Sequence, residues 1–110
     1  MIKLIDLFAG IGGIRIGASE ALAKYGIASE CVLSSEIDPK ACETYELNFH
    51  EHPQGDIHEI TRIEPFDFLL GGFPCQPFSY AGKRRGFGDT RGTLFFEIER
   101  ILEAYQPKAF

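Results

Sequence analysis

The chain reads as an α/β protein built on a parallel sheet, and three observations predict that class. Apolar runs of strand length alternate with segments whose apolar residues recur at helical spacing. Glycine and Asp-Pro signals stand where strands turn into helices and where helices stop. The resulting order of strand, helix, strand, helix, strand, helix demands crossovers, which are right-handed when the strands are parallel.

The elements follow in order. Ile2–Phe8 is apolar and β-branched with one polar break at Asp6, the pattern of a buried strand. Ala9–Gly13 is a glycine turn. From Ile14 to Tyr25 the spacing predicts a helix that turns Ile14, Ala18, Ala21, Leu22 and Tyr25 inward, with Gly26 at its C-terminal cap. A second strand spans Glu30–Ser35. Asp38 followed by Pro39 starts the next helix, an N-cap carboxylate ahead of a proline whose missing N–H costs nothing there. That helix points Ala41, Cys42, Tyr45 and Phe49 inward and ends near Asn48. Residues 50–65 are loop-rich, with a short strand expected around Asp56-Ile57. Phe66–Leu70 is the third strand, and Tyr80–Gly92 is polar, basic and glycine-rich. Thr93–Tyr105 is the third helix, with Leu94, Phe95, Ile98, Ile101, Leu102 and Tyr105 on one face. Pro107–Phe110 reads as the approach to a further strand. The sequence stops there, so the expectation is a fragment or one piece of a split protein.

Composition narrows the class. The chain has 110 residues, room for one domain, with 45% hydrophobic and 25% charged residues. A net charge of −5 argues against a protein that coats nucleic acid generally, while leaving room for a local basic patch. Three cysteines, Cys31, Cys42 and Cys75, make neither a disulfide framework nor a zinc-binding spacing, so no metal is expected. A reducing, cytoplasmic location is the natural reading. No stretch approaches the ~18 apolar residues of a membrane span, and Met1–Gly17 lacks a signal-peptide cleavage pattern.

Gly71-Gly72-Phe73-Pro74-Cys75-Gln76-Pro77-Phe78-Ser79 carries the chemistry. Flanking prolines make a stiff loop just past a strand's C-terminal end, where open α/β sheets keep their ligands. Cys75 is therefore a candidate nucleophile, although buried and inert is the ordinary state of a free cysteine. That ordinary reading is adopted for Cys31 and Cys42. His50, His52 and His58 all fall in the middle loop and read as surface residues, so a Cys–His hydrolase has no support. Gly10, Gly12 and Gly13 would let a ligand approach backbone N–H groups at a helix N-terminus; a tight turn with no ligand explains them too. Glu36 stands 23 residues after Gly13 at a strand tip, where an acid can accept both hydroxyls of a ribose, or simply be solvated. Asp38 reads as a cap. Asp56 suits an adenine amino group or a surface loop equally. Lys83, Arg84, Arg85 and Arg91 lie among glycines beside Cys75 and suit phosphate contact.

Four blocks in this order, Asp6–Gly13, Ser35–Asp38, Gly71–Ser79 and Gly88–Glu97, resemble the cytosine-C5 DNA methyltransferases, of the bacterial restriction–modification type. The resemblance covers nearly the whole chain. It implies a Rossmann-like S-adenosylmethionine-dependent methyltransferase fold, here incomplete at the C-terminus, with residues 1–110 as the N-terminal portion of the catalytic domain. It implies S-adenosylmethionine lying along Phe8, Gly10 and Gly12, with Glu36 on the ribose hydroxyls. Ile37 would pack on the adenine, Asp56 and Ile57 would meet its edge, and Pro74 would lie by both the cofactor and the cytosine. Cys75 would attack C6 of a cytosine flipped out of double-stranded DNA, because that atom is out of reach while stacked. Gln76, Ser79, Lys83, Arg84, Arg85 and Arg91 would contact the substrate.

The chain departs from the family pattern in lacking the Glu-Asn-Val motif, whose glutamate holds cytosine N3, and the target-recognition region. These 110 residues alone are therefore expected to be inactive, with the remaining C-terminal part a candidate partner chain. A tRNA cytosine-C5 methyltransferase is the nearest rival; that group tends to carry threonine where this chain has Ser79. A non-catalytic subunit of a split methyltransferase is the second. A nucleotide-dependent oxidoreductase fits poorly, since Gly-x-Gly-Gly is not its fingerprint and Cys75 goes unexplained.

Overall fold

In a computed structural model, residues 1–72 and 90–110 are described, with side chains over 1–72 and 94–110. Two compact units divide the chain, Met1–Gly71 with Pro107–Phe110, and Gly72–Gln106.

The first unit is a parallel sheet of β1 (Ile2–Leu7), β2 (Ser29–Ser35) and β3 (Phe68–Gly71), in the order β2-β1-β3. Central β1 is shielded by both neighbours, and Leu4, Ile5, Asp6 and Leu7 are all buried. Its pairing with β2 shifts by one residue between Leu4 and Ile5, a bulge that places Leu33 opposite Ile5. Two single parallel bridges widen the sheet, Gln54 beside Ser35 and Ala109 beside Phe68. The second bears out the strand approach expected of Pro107–Phe110: Leu69 donates its N–H to the Ala109 carbonyl at 3.0 Å. Asp67 gathers this edge, accepting the Lys3 N–H at 2.8 Å on its carboxylate and the Lys108 N–H at 2.8 Å on its carbonyl.

From β1 the chain steps to β2 and then to Gln54 on one side, and afterwards returns to β3 on the other. The order thus reverses between β1 and β3, and at such a switch point ligands settle beyond the strands' carboxyl ends.

Helix α1 (Gly13–Lys24) ends as expected, with Tyr25 as cap and Gly26 in the left-handed region at φ 73°. Its inward face departs from the expectation. No α1 residue is buried; Ile14 is 50% exposed and Tyr25 81%. The periodicity is real, but the narrow sheet covers only part of the stripe among the described residues. Helix α2 (Pro39–Phe49) behaves as read: Asp38 accepts the Ala41 N–H at 2.9 Å, Pro39 opens the helix, and Cys42 and Tyr45 are buried.

The strand expected near Asp56-Ile57 is instead a 3₁₀ turn over Ile57–Glu59. Asp56 caps it by accepting the His58 N–H at 2.9 Å, a local bond that competes successfully with sheet pairing. Phe66, placed in the third strand by the sequence, is buried just before β3 begins.

The second unit contains α3 (Thr90–Tyr105), which starts three residues earlier than expected, so Thr90–Gly92 belong to a helix and not to the basic loop. Leu94, Phe95, Ile98, Ile101, Leu102 and Tyr105 form its more covered face as predicted, with Ile101 fully buried.

Candidate functional site

The glycine turn leaves β1 through a residue in an unfavourable conformation. Phe8 has φ 52°, a left-handed geometry that is costly for a bulky side chain and characteristic of functional turns. Gly10 and Gly12 follow at φ 58° and φ 96°. At Gly12 the reason for glycine is double, because a Cβ there would come within 2.1 Å of the Phe49 ring. The turn closes with Gly12 donating to the Ala9 carbonyl at 2.9 Å.

Glu36 stands one residue past β2 and is locked to this turn. Its Oε1 accepts the Gly10 N–H at 2.8 Å, and its Oε2 accepts the N–H groups of Ile37 and Asp38 at 3.0 and 2.9 Å. Three backbone donors hold one carboxylate in a single orientation at the carboxyl ends of β1 and β2. The N-terminus of α1 beside it carries no side-chain cap and no acidic residue in its first turn.

Outward from Glu36 runs a groove of about 760 Å³, lined by Glu36, Ile37, Pro39, Cys42, His52 and Gln54 among others. Ile37 is 70% exposed, a large apolar side chain held at the groove. Asp56 is exposed, and its carboxylate is already engaged by the His58 N–H and, at 2.7 Å, by the His58 ring. Those two contacts hold its pKa below the ordinary carboxylate value. Ile57 is only 3% exposed, so its side chain belongs to the core rather than to an open edge.

Cys42 is buried with its Sγ on the Glu36 carbonyl at 3.3 Å, and Cys31 is half-buried; burial pushes both thiols up, away from reactivity. His50, His52 and His58 are exposed, as read from the sequence. Pro74, Cys75, Gln76, Ser79, Lys83, Arg84 and Arg85 lie outside the described residues, and of Arg91 only the backbone, in the first turn of α3, is described. Among the described residues no cluster of His, Cys, Asp and Glu could hold a metal, and no helix is long and apolar enough to cross a membrane.

Sequence reasoning missed the back of the turn. Asp6 on β1 is 1% exposed and accepts the Tyr45 hydroxyl at 3.0 Å. The Tyr45 oxygen accepts from Arg15 Nη1 at 2.9 Å, and Arg15 reaches on to both Glu51 oxygens at 3.0 and 3.1 Å. Its guanidinium carbon lies 4.2 Å from the Phe49 ring centroid. Burial pushes the Asp6 carboxyl up to about 6, against the opposing pull of the Tyr45 bond and the Arg15 charge. Burial likewise raises Tyr45, while Arg15 stays firmly charged because Glu51 and Tyr45 outweigh its own desolvation. The signal was available: a lone aspartate in an apolar strand and a tyrosine on an inward helix face both need buried partners.

Residues 2–110 match the family of C-5 cytosine-specific DNA methylases. The type II methyltransferase M.BanI of Aneurinibacillus aneurinilyticus is 72% identical over 109 residues, covering 99% of this chain and 26% of the relative. M.HgiCI of Herpetosiphon aurantiacus is 68% identical over 110 residues, covering 100% and 26%. The chain thus spans about a quarter of the length of these relatives. A crystal structure of a variant of Spodoptera frugiperda DNMT2 superposes with a TM-score of 0.62 at 29% identity, over 93% of this chain and 31% of that one. Entamoeba histolytica methyltransferase EhMeth gives 0.71 at 22% identity over 91% and 32%, a likeness of fold alone. The three parallel strands and their helices are accordingly an incomplete Rossmann-like methyltransferase fold. The match from Ile2 to Phe110 places the chain among the C-5 cytosine-specific DNA methylases.

Proposed function

We propose that residues 1–110 form the N-terminal portion of a DNA (cytosine-5-)-methyltransferase catalytic domain, carrying its cofactor pocket and its nucleophile. The observation that supports this most is Glu36, whose carboxylate is fixed by three backbone N–H groups beside an uncapped helix N-terminus. That donor set suits S-adenosylmethionine. The α1 N-terminus would face the carboxylate of its methionine part, Glu36 would accept its ribose hydroxyls, and Ile37 would pack on its adenine. Among the described residues, an added Cβ at Gly10 or Gly13 would meet nothing within 4 Å. Phe8 and Gly12 would line the same edge. The Asp56 carboxylate is already partnered by His58, so the adenine edge would be met by what acceptor capacity it keeps and by the Ile57 backbone.

When bound, S-adenosylmethionine supplies an electrophilic methyl group on a sulfonium. The chain's own part is to make cytosine C5 nucleophilic. The Cys75 thiolate would add to C6, forming a C–S bond and pushing electron density to C5; once C5 carries the methyl group, a solvent base would take the C5 proton, and the electrons of that C–H bond would break the C–S bond and release the thiolate. Pro74 and Gln76 shape the pocket for the flipped base, and Ser79, Lys83, Arg84, Arg85 and Arg91 meet the double-stranded DNA around it. The glutamate that would hold cytosine N3 is not in these residues, so the reading requires the remainder of a full-length enzyme, on the same chain or another. DNA rather than tRNA is favoured because the family that residues 2–110 match is one of DNA methylases.

A chimera in which this chain replaces the matching 109 residues of M.BanI tests the cofactor pocket. Glu36→Gln should weaken S-adenosylmethionine binding by calorimetry about 10- to 100-fold, the loss expected for a charged acceptor. Unchanged affinity would remove Glu36 from the site.

A further inference from the structure

The glycine turn is held from two sides. Glu36 grips Gly10 on the groove side. On the other side α2 contributes a row of residues, Tyr45, Asn48 and Phe49, spaced to lie on one face. Asn48 donates its side-chain amide to the Ile11 carbonyl at 3.0 Å. Phe49 fills the space over Gly12 and stacks under Arg15. Tyr45 links Arg15, in the first turn of α1, to Asp6 at the end of β1.

The direction of that link is fixed by chemistry. Arginine can only donate, so the Tyr45 oxygen accepts from it and the hydroxyl proton is left for Asp6. A buried carboxylate is expensive, and an apolar pair would fill the same volume at lower cost. What the polar arrangement provides and an apolar one does not is a single geometry, since each bond tolerates little change in length or angle.

We propose that Asp6, Tyr45 and Arg15 form a positioning relay that fixes the Phe8–Gly13 turn against α2, so that cofactor affinity depends on the Tyr45 hydroxyl. The link to the cofactor rests on the function proposed above; the bracing of the turn does not. Glu51 anchors the outer end by its forked pair with Arg15. None of these side chains touches the groove on the Glu36 side, so their effect passes through the backbone of the turn.

Two readouts test it on the M.BanI chimera. In the cofactor-free protein, Tyr45→Phe should speed amide hydrogen exchange about 10-fold over residues 8–15 while exchange in β2 and β3 stays as in the parent. In steady-state assays it should raise KM for S-adenosylmethionine about 10-fold and leave kcat within about twofold. Glu51→Gln, at an exposed position, should move both readouts the same way by about two- to threefold. Parental exchange in the turn overturns the relay, and so does a Tyr45→Phe protein that fails to fold while Glu51→Gln leaves the turn unchanged. A loosened turn with unchanged KM overturns the bearing on the cofactor. If the parent does not bind S-adenosylmethionine at all, the cofactor reading fails, and hydrogen exchange still decides whether the turn is braced.

Discussion

Asp6 is 1% exposed on β1, where it accepts the Tyr45 hydroxyl. Its carboxyl is pushed up to about 6 chiefly by burial, from an ordinary value of 3.8. Between those values the folded chain therefore binds more protons than the unfolded one. The linked stability is fully present below about pH 4 and is lost as the pH rises through about 6. The full shift corresponds to something on the order of 2–3 kcal/mol. Asp6→Asn keeps an acceptor for Tyr45 without the charge, so its urea midpoint should gain on the parent's steadily from pH 4 to pH 7. A constant difference over that range would mean that Asp6 keeps an ordinary pKa. Asp56 and Asp67, both held low by backbone N–H groups, act in the opposite sense and only at more acidic pH. The sequence marked Asp6 as a polar break in a strand but could not name its partner, because Tyr45 lies 39 residues away.

At the scale of elements, legibility followed the range of the forces involved. Helix α2 was readable because its signals are local: Asp38 bonds three residues ahead, and Pro39 presets the first turn. Asp38→Ala should cost about 1 kcal/mol and lower the urea midpoint, whereas Asp38→Asn should restore most of it. Equal stability of the alanine variant would show that the cap is replaced by solvent. Gly26 ended α1 for the same local reason. The covered face of α1 was not legible, since periodicity gives the stripe but not the width of sheet beneath it. At Asp56 two local preferences competed, and the cap to His58 displaced the expected strand.

For the whole molecule, the parallel order β2-β1-β3 brings the glycine turn after β1 and Glu36 after β2 together at the carboxyl edge of the sheet, as the alternation of elements implied. The candidate site was legible on the groove side because Glu36 and the glycines belong to contiguous blocks of sequence. Its back, from Asp6 through Tyr45 to Arg15, joins three separate segments and emerged only from the fold. The family match spans both the glycine turn and the Cys75 segment, and the proposed chemistry stands or falls with that cysteine. The direct measurement is to incubate the M.BanI chimera with S-adenosylmethionine and a duplex whose target cytosine is 5-fluorocytosine, which blocks loss of the C5 substituent. A covalent protein–DNA adduct that Cys75→Ser abolishes is the expected result. An adduct that survives Cys75→Ser would contradict it.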